Sequence, residues 1–219
     1  MDKNKLLNDI KKNVAQWVIE FRKNFWLIFL SLMLLVLSGV IDFCSGSYVS
    51  SIPVRDVSDI ILSHIGPYNL GFIFVYGFLL IVFVMFAYPL IFKINKLHIV
   101  LSQYSFLVIL RSIFMAMTHL KTPIDAIPVH FPQFLSFLRF QNDLFFSGHV
   151  AIPFLGFLIF KDKCIRYFFL ISSIVMAITV LLTHQHYSID VFAAFFITYS
   201  SFRLVNYFLR KTRKWRKSQ

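Results

Sequence analysis

Leu70–Phe92, LGFIFVYGFLLIVFVMFAYPLIF, carries no charged residue. A run of that length and polarity reads as a helix crossing a bilayer. Comparable runs lie at Phe25–Phe43, Leu97–Thr118, Leu144–Phe160, Ile165–Leu182 and Tyr187–Leu209. The 219 residues are 58% hydrophobic, with a mean hydropathy of +0.72. A soluble domain cannot hide that much apolar surface. The expected fold is therefore all-α, a polytopic membrane protein with six transmembrane helices.

Charge sets the expected orientation. The formal net charge is +12, but 12 of the 22 Lys and Arg lie in the two tails, Lys3 to Lys23 and Arg210 to Lys217. That distribution is a topology signal and argues against nucleic acid as a partner. With six spans and both ends inside, 17 Lys and Arg fall on the inner side: six in each tail, two at Lys93 and Lys96, and three at Lys161, Lys163 and Arg166. The outer loops hold three, Arg55, Lys121 and Arg139, while Arg111 and Arg203 fall within spans. Both termini are thus expected in the cytoplasm.

The expected organisation is a basic amphipathic interfacial segment at 1–23, one six-span catalytic domain at 24–209 and a basic tail at 210–219. Apolar Leu6, Ile10, Val14, Trp17 and Phe21 recur at helical spacing in the first of these. Cys44 and Cys164 fall on opposite sides and are not expected to pair.

The candidate chemistry lies where the last span begins, at His186-Tyr187-Ser188-Ile189-Asp190. Positions four apart share a helix face, so Asp190 can hold one imidazole nitrogen of His186 and leave the other free as a nucleophile or base. The plain alternative is a helix start whose polar residues sit among headgroups, with Asp190 on the helix dipole. A second histidine, in Ser147-Gly148-His149, shifts the balance. The topology places His149, His186, Asp190 and Arg111 at one depth beneath the outer surface, and ionisable groups within apolar segments mark function by default.

Two histidines and an arginine suit phosphoryl chemistry at a lipid headgroup. His186, oriented by Asp190, is expected to attack phosphorus, with His149 as acid and base. Arg111 and the backbone N–H groups near Ser147 and Gly148 are expected to hold the phosphate, since glycine permits close approach and a helix N-terminus favours anions. A structural pairing of Arg111 with Asp143 or Asp190 is the competing reading. His184 and His119 are expected at headgroup level. No metal or other cofactor is called for.

Asn142-Asp143-Leu144-Phe145-Phe146-Ser147-Gly148-His149 and His184-Gln185-His186-Tyr187-Ser188-Ile189-Asp190-Val191 resemble the last two signature motifs of sphingomyelin synthases and related lipid phosphotransferases, within the type 2 phosphatidic acid phosphatase (PAP2) superfamily. Leu110-Arg111-Ser112-Ile113-Phe114-Met115 and Pro53-Val54-Arg55-Asp56 are weaker echoes. The resemblance implies a catalytic triad of His149, His186 and Asp190, with His186 forming a phosphohistidine intermediate. Substrate-binding residues are expected at Arg111, Asp143, Ser147, Gly148 and Tyr187. The chain departs from the pattern at Gln141, where these synthases typically have Cys, and at Ser188, where Thr is commoner.

The phosphatase branch of the superfamily typically has an arginine six residues before the nucleophilic histidine, and here that position is Val180. A phosphomonoester carries nearly two charges and calls for several cations, whereas a phosphodiester carries one. The expected reaction is therefore transfer of a phospho-headgroup from a glycerophospholipid to a lipid hydroxyl such as ceramide, on the periplasmic, extracellular or luminal side. A PAP2-type lipid phosphatase is the alternative. A non-enzymatic transporter or metal-binding protein using His149, His184 and His186 is the alternative of another class.

Overall fold

The structure, a computed structural model, describes residues 3–129, 131–133 and 142–217; Arg139 and Gln141 lie outside the described residues. Among the described residues six α-helices follow in order: α1 Lys3–Ser51, α2 Phe78–Phe92, α3 Ile94–Met117, α4 Gly148–Ile159, α5 Lys163–Leu182 and α6 Ser188–Lys217. A 3-10 turn at Leu62–His64 lies between the first two, and a π-helical turn, Ile73–Gly77, runs directly into α2. Among the described residues there is no strand, only an isolated bridge between Arg55 and Leu120.

Among the described residues five helical stretches are long and apolar enough to cross a membrane: Lys11–Ser51, Ile73–Phe92, Ile94–Met117, Lys163–Leu182 and Ser188–Leu209. The expected fourth span differs. The 12 residues of α4 rise only about 18 Å, short of the ~30 Å hydrocarbon core. The residues before it, from Leu144 to Ser147, are not helical. Phe145 and Phe146 there have left-handed φ of 74° and 35°, so the first turn of the expected span is spent on a bend.

The basic N-terminal segment and the first span, separate in the sequence reading, run on as one helix because no glycine or proline stands between Lys3 and Ser38. The helix stops just before Pro53, whose ring disfavours helix in the preceding residue. Trp17 and Phe21 pack with Ile28, Leu97 and Leu101, and the Trp17 indole N–H donates to the Leu90 carbonyl at 2.8 Å. Lys93 alone separates α2 from α3.

The core runs between α2, α3, α4, α5 and α6, with Met85, Leu107, Leu155, Phe169 and Met176 buried in it. α4 lies closest to α5. A Cβ on Gly156 would stand 2.5 Å from the Phe169 ring, and Ser173 Oγ donates to the Val150 carbonyl at 3.1 Å. Outward-facing positions of the helices carry large apolar side chains, as at Trp26, Phe83 and Phe196. Cys44 and Cys164 are free thiols.

The loops at one end of the bundle are knitted together. Arg55 N–H donates to the His119 carbonyl at 3.0 Å, and Lys121 N–H to the Arg55 carbonyl at 2.8 Å. Ile127 N–H donates to the Thr183 carbonyl at 3.0 Å, and Tyr68 N–H to the Leu182 carbonyl at 2.7 Å. The segments after α1, after α3 and before α6 therefore form one layer over the ends of the helices. The sequence reading had assigned these three segments to the same side.

Candidate active site

α5 ends in a Schellman-type turn. His184 takes the left-handed position (φ 52°), its N–H donates to the Leu181 carbonyl, and Gln185 N–H donates to the Val180 carbonyl. The His184 ring is buried, and its Nε2 bonds the Ile65 carbonyl at 3.0 Å. His184 thus anchors the loop layer. Two residues later the chain enters α6 with His186 at its threshold.

His186 Nδ1 lies 3.2 Å from Asp190 Oδ2, the i, i+4 contact expected from the sequence. The same oxygen accepts the Tyr187 N–H at 3.1 Å. Asp190 is fully buried, at the start of α6 where the helix dipole favours a negative charge. With Nδ1 held by the carboxylate, Nε2 is the nitrogen left for chemistry.

His149 sits in the first turn of α4. Its ring is flanked by Phe74 and Phe78, with centroids 3.9 and 4.1 Å away, both carried by the π-helical turn and its junction with α2. π-helical turns are rare and recur at functional sites; here the turn brings two aromatic rings onto one imidazole. The His149 and His186 rings are 6.5 Å apart. His149 Nε2 is buried without a hydrogen-bond partner among the described residues.

Arg111 on α3 lies beside the start of α4. A Cβ on Gly148 would come within 3.2 Å of Arg111 Nε, so a side chain there would press the guanidinium back by a few tenths of an ångström. Arg111 is already paired. Its Nη2 bonds Asp143, and its Nη1 is 3.4 Å from Asp42, which also accepts from Ser112 Oγ at 2.9 Å. Of the two partners considered from the sequence, the structure places Asp143 there and not Asp190. Asp42 on α1 was missed, although a carboxylate inside the first span was a legible signal.

Arg111, Asp143, His149 and His186 line one cavity of about 420 Å³, with Lys121, Phe74 and Gln185 also in its wall. Two expected substrate-binding residues are turned elsewhere. Ser147 is fully buried and its N–H donates to the Asp190 carbonyl at 3.1 Å, so that N–H is not free to hold phosphate. Tyr187 is buried too, and its hydroxyl donates to the Lys121 carbonyl at 2.9 Å. Lys121, Phe74 and Phe78 escaped the sequence reading. The lysine carried only a loop charge, and the rings were two of 28 phenylalanines.

Among the described residues, no three His, Cys, Asp or Glu side chains are placed to share a metal ion. Chemically, the arrangement offers a carboxylate-held imidazole, a second imidazole across a small gap and cationic groups beside both.

Comparison with known proteins gives one match. A family model described as PAP2 superfamily C-terminal matches residues 142–207, under a third of the chain. No curated protein matches, and no solved structure does. The matched stretch carries His149, His186 and Asp190, and it supports the PAP2 superfamily, generally enzymes of phosphatase type, for the part of the chain that holds these residues.

Proposed function

We propose that this protein is a membrane lipid phosphotransferase that moves a phospho-headgroup from a glycerophospholipid to a lipid hydroxyl. The observation that carries the reading is the buried His186–Asp190 pair set 6.5 Å, ring to ring, from His149. His186 Nε2 attacks phosphorus and forms an N–P bond. The bond from phosphorus to the glyceride oxygen breaks, and His149, protonated, gives that oxygen its proton so that diacylglycerol leaves. The acceptor hydroxyl then attacks phosphorus while neutral His149 takes its proton. The N–P bond breaks, and both histidines return to their starting states. Asp190 holds the His186 ring and balances the charge that develops on it.

Charge favours a phosphodiester donor. Among the described residues the cavity has two cations, Arg111 and Lys121, and Arg111 is shared between two carboxylates, Asp42 and Asp143. That balance suits a substrate with one negative charge better than a phosphomonoester with nearly two. The site is assigned to the outer face, and both termini to the cytoplasm. Lys93, Lys96, Lys161, Lys163 and Arg166 all lie in or beside the short turns at the other end of the bundle.

The test uses purified protein in detergent with labelled phosphatidylcholine and phosphatidylethanolamine, with and without ceramide, beside phosphatidic acid. The expected result is a ceramide-dependent phospholipid product, absent from His186→Ala and His149→Ala. Phosphate release from phosphatidic acid without a lipid product would assign the site to the phosphatase reaction. Binding of lipid with no turnover that depends on His186 would overturn the enzyme reading.

A further inference from the structure

Resting on that reading of the site, we propose that Lys121 holds the donor's phosphate oxygens and that Tyr187 is its positioning residue. The argument begins with a shortage. Arg111 is the cation the sequence pointed to, yet its guanidinium is shared between Asp42 and Asp143. An anion entering the cavity meets a group whose charge is already offset. Lys121 lines the same cavity and makes no ion pair with any carboxylate among the described residues. Among the described residues that line this cavity, it is the cation without a carboxylate partner.

A lysine on an exposed loop normally samples many positions and holds a ligand poorly. This one has its backbone fixed on three sides. Its N–H donates to the Arg55 carbonyl at 2.8 Å, and its carbonyl accepts the Tyr187 hydroxyl at 2.9 Å. The next N–H, of Thr122, donates to Asn142 Oδ1 at 3.1 Å. Those partners come from the loop after α1, the threshold of α6 and the approach to α4. Tyr187 and Asn142 adjoin the two histidine segments, so the groups that place the histidines also place the lysine. The ammonium head makes no ion pair while the backbone that carries it is anchored, which suits a point-charge partner for phosphate. Tyr187, buried and outside the cavity wall, then acts on substrate through Lys121.

The experiment compares the full-length wild type with Lys121→Gln, Lys121→Arg, Tyr187→Phe and the double variant Lys121→Gln/Tyr187→Phe. It reads kcat and KM for the phospholipid donor in mixed micelles, inhibition by orthovanadate, and melting temperature. Lys121→Gln is expected to raise both KM and the vanadate inhibition constant about tenfold, the worth of one charge-assisted contact, with kcat and melting temperature little changed. Lys121→Arg should restore most of the loss. Tyr187→Phe should raise the same two constants less, and should add nothing in the Lys121→Gln background.

Wild-type constants in Lys121→Gln would overturn the proposal. So would a Lys121→Arg as impaired as the glutamine variant, because charge would then not be what matters. An additive Tyr187→Phe effect would overturn the positioning role. If the wild type shows no turnover dependent on His186 and no vanadate binding, the reading of the whole site falls and this inference falls with it. Turnover that depends on His186 but ignores Lys121 sinks only the inference.

Discussion

The two ends of the helical bundle are built on different principles. At the site end, long loops are held by hydrogen bonds between segments remote in sequence, and many of the partners are buried. Asp59 on the loop after α1 caps α6 by accepting both the N–H and the hydroxyl of Ser188, at 2.6 and 2.8 Å. At the opposite end, Lys93 alone joins α2 to α3, and a short turn joins α4 to α5. The polar contacts there include an exposed Lys93–Asp162 pair at 3.8 Å and the Tyr88 hydroxyl on Asp162. A bundle needs only short turns to close. The polar detail accumulates where a water-soluble headgroup must meet groups held at a fixed depth.

The largest effect should come from Asp190→Asn. The substitution keeps the shape but ends the charge balance and the fixed orientation of His186. By the behaviour of a carboxylate-held histidine, kcat should fall about 10³- to 10⁴-fold. The melting temperature should move little by comparison. A loss of under tenfold would show that Asp190 is an α6 cap and nothing more, and the contrast between the two ends would lose its chemical meaning.

Gly156→Ala tests whether the middle and far part of the bundle answers to volume. The added methyl would meet the Phe169 ring at 2.5 Å. That ring is fully buried and stacked on Phe160 at 5.2 Å, so it has no room to retreat. Overpacking of this kind costs about 1–3 kcal/mol. The expected outcome is a lower melting temperature with kcat per folded molecule preserved, read by thermal unfolding beside turnover.

Asp59→Ala returns to the site end, with an expected loss of about 1 kcal/mol as a helix cap. Burial pushes the Asp59 carboxyl up, but the Leu62 N–H, the Ser188 N–H and hydroxyl, and the Ile61 N–H outweigh it and hold the carboxyl below its ordinary value. A carboxyl depressed on folding contributes stability above its unfolded value, and the contribution is lost as pH falls through the folded one. The gap in melting temperature between wild type and Asp59→Ala should therefore be full near pH 7 and close below about pH 4. A gap that persists in acid would mean that the side chain matters for its bulk.

The comparison also explains what could be read from the sequence. Apolar run length located the five described helices that are long and apolar enough to cross a membrane, and the short turns after α2 and α4, because helix in lipid is dictated by backbone satisfaction alone. The fourth span was overestimated, since nothing in Leu144-Phe145-Phe146 marks a left-handed bend. The pairing of His186 with Asp190 was legible from their spacing, although His186 precedes α6 and the contact is made across the start of the helix rather than along its face. Lys121 and the Phe74–Phe78 pair were not, because they depend on which loop crosses which helix. Likewise, His184 occupies a position usually given to glycine, so its turn carried no compositional signal.

The smallest effect should come from Asp162→Asn, and its smallness is informative. Asp162 precedes α5, yet its side chain makes no capping bond to that helix. The bond that closes the first turn uses its backbone carbonyl, which accepts the Arg166 N–H at 2.9 Å and survives the substitution. The carboxyl is held below its ordinary value first by the Tyr88 hydroxyl, with burial opposing and Lys93 and Lys96 adding to the lowering. An exposed pair of this kind gains little, because water competes for both charges and salt screens them. Asp162→Asn should leave both turnover and melting temperature at wild-type values at pH 7, at low and at high salt alike. A clear drop in melting temperature that vanishes in high salt would make this end as dependent on charge as the other. Placement of coupled polar groups at one end would then reflect general bundle stability rather than the demands of a site.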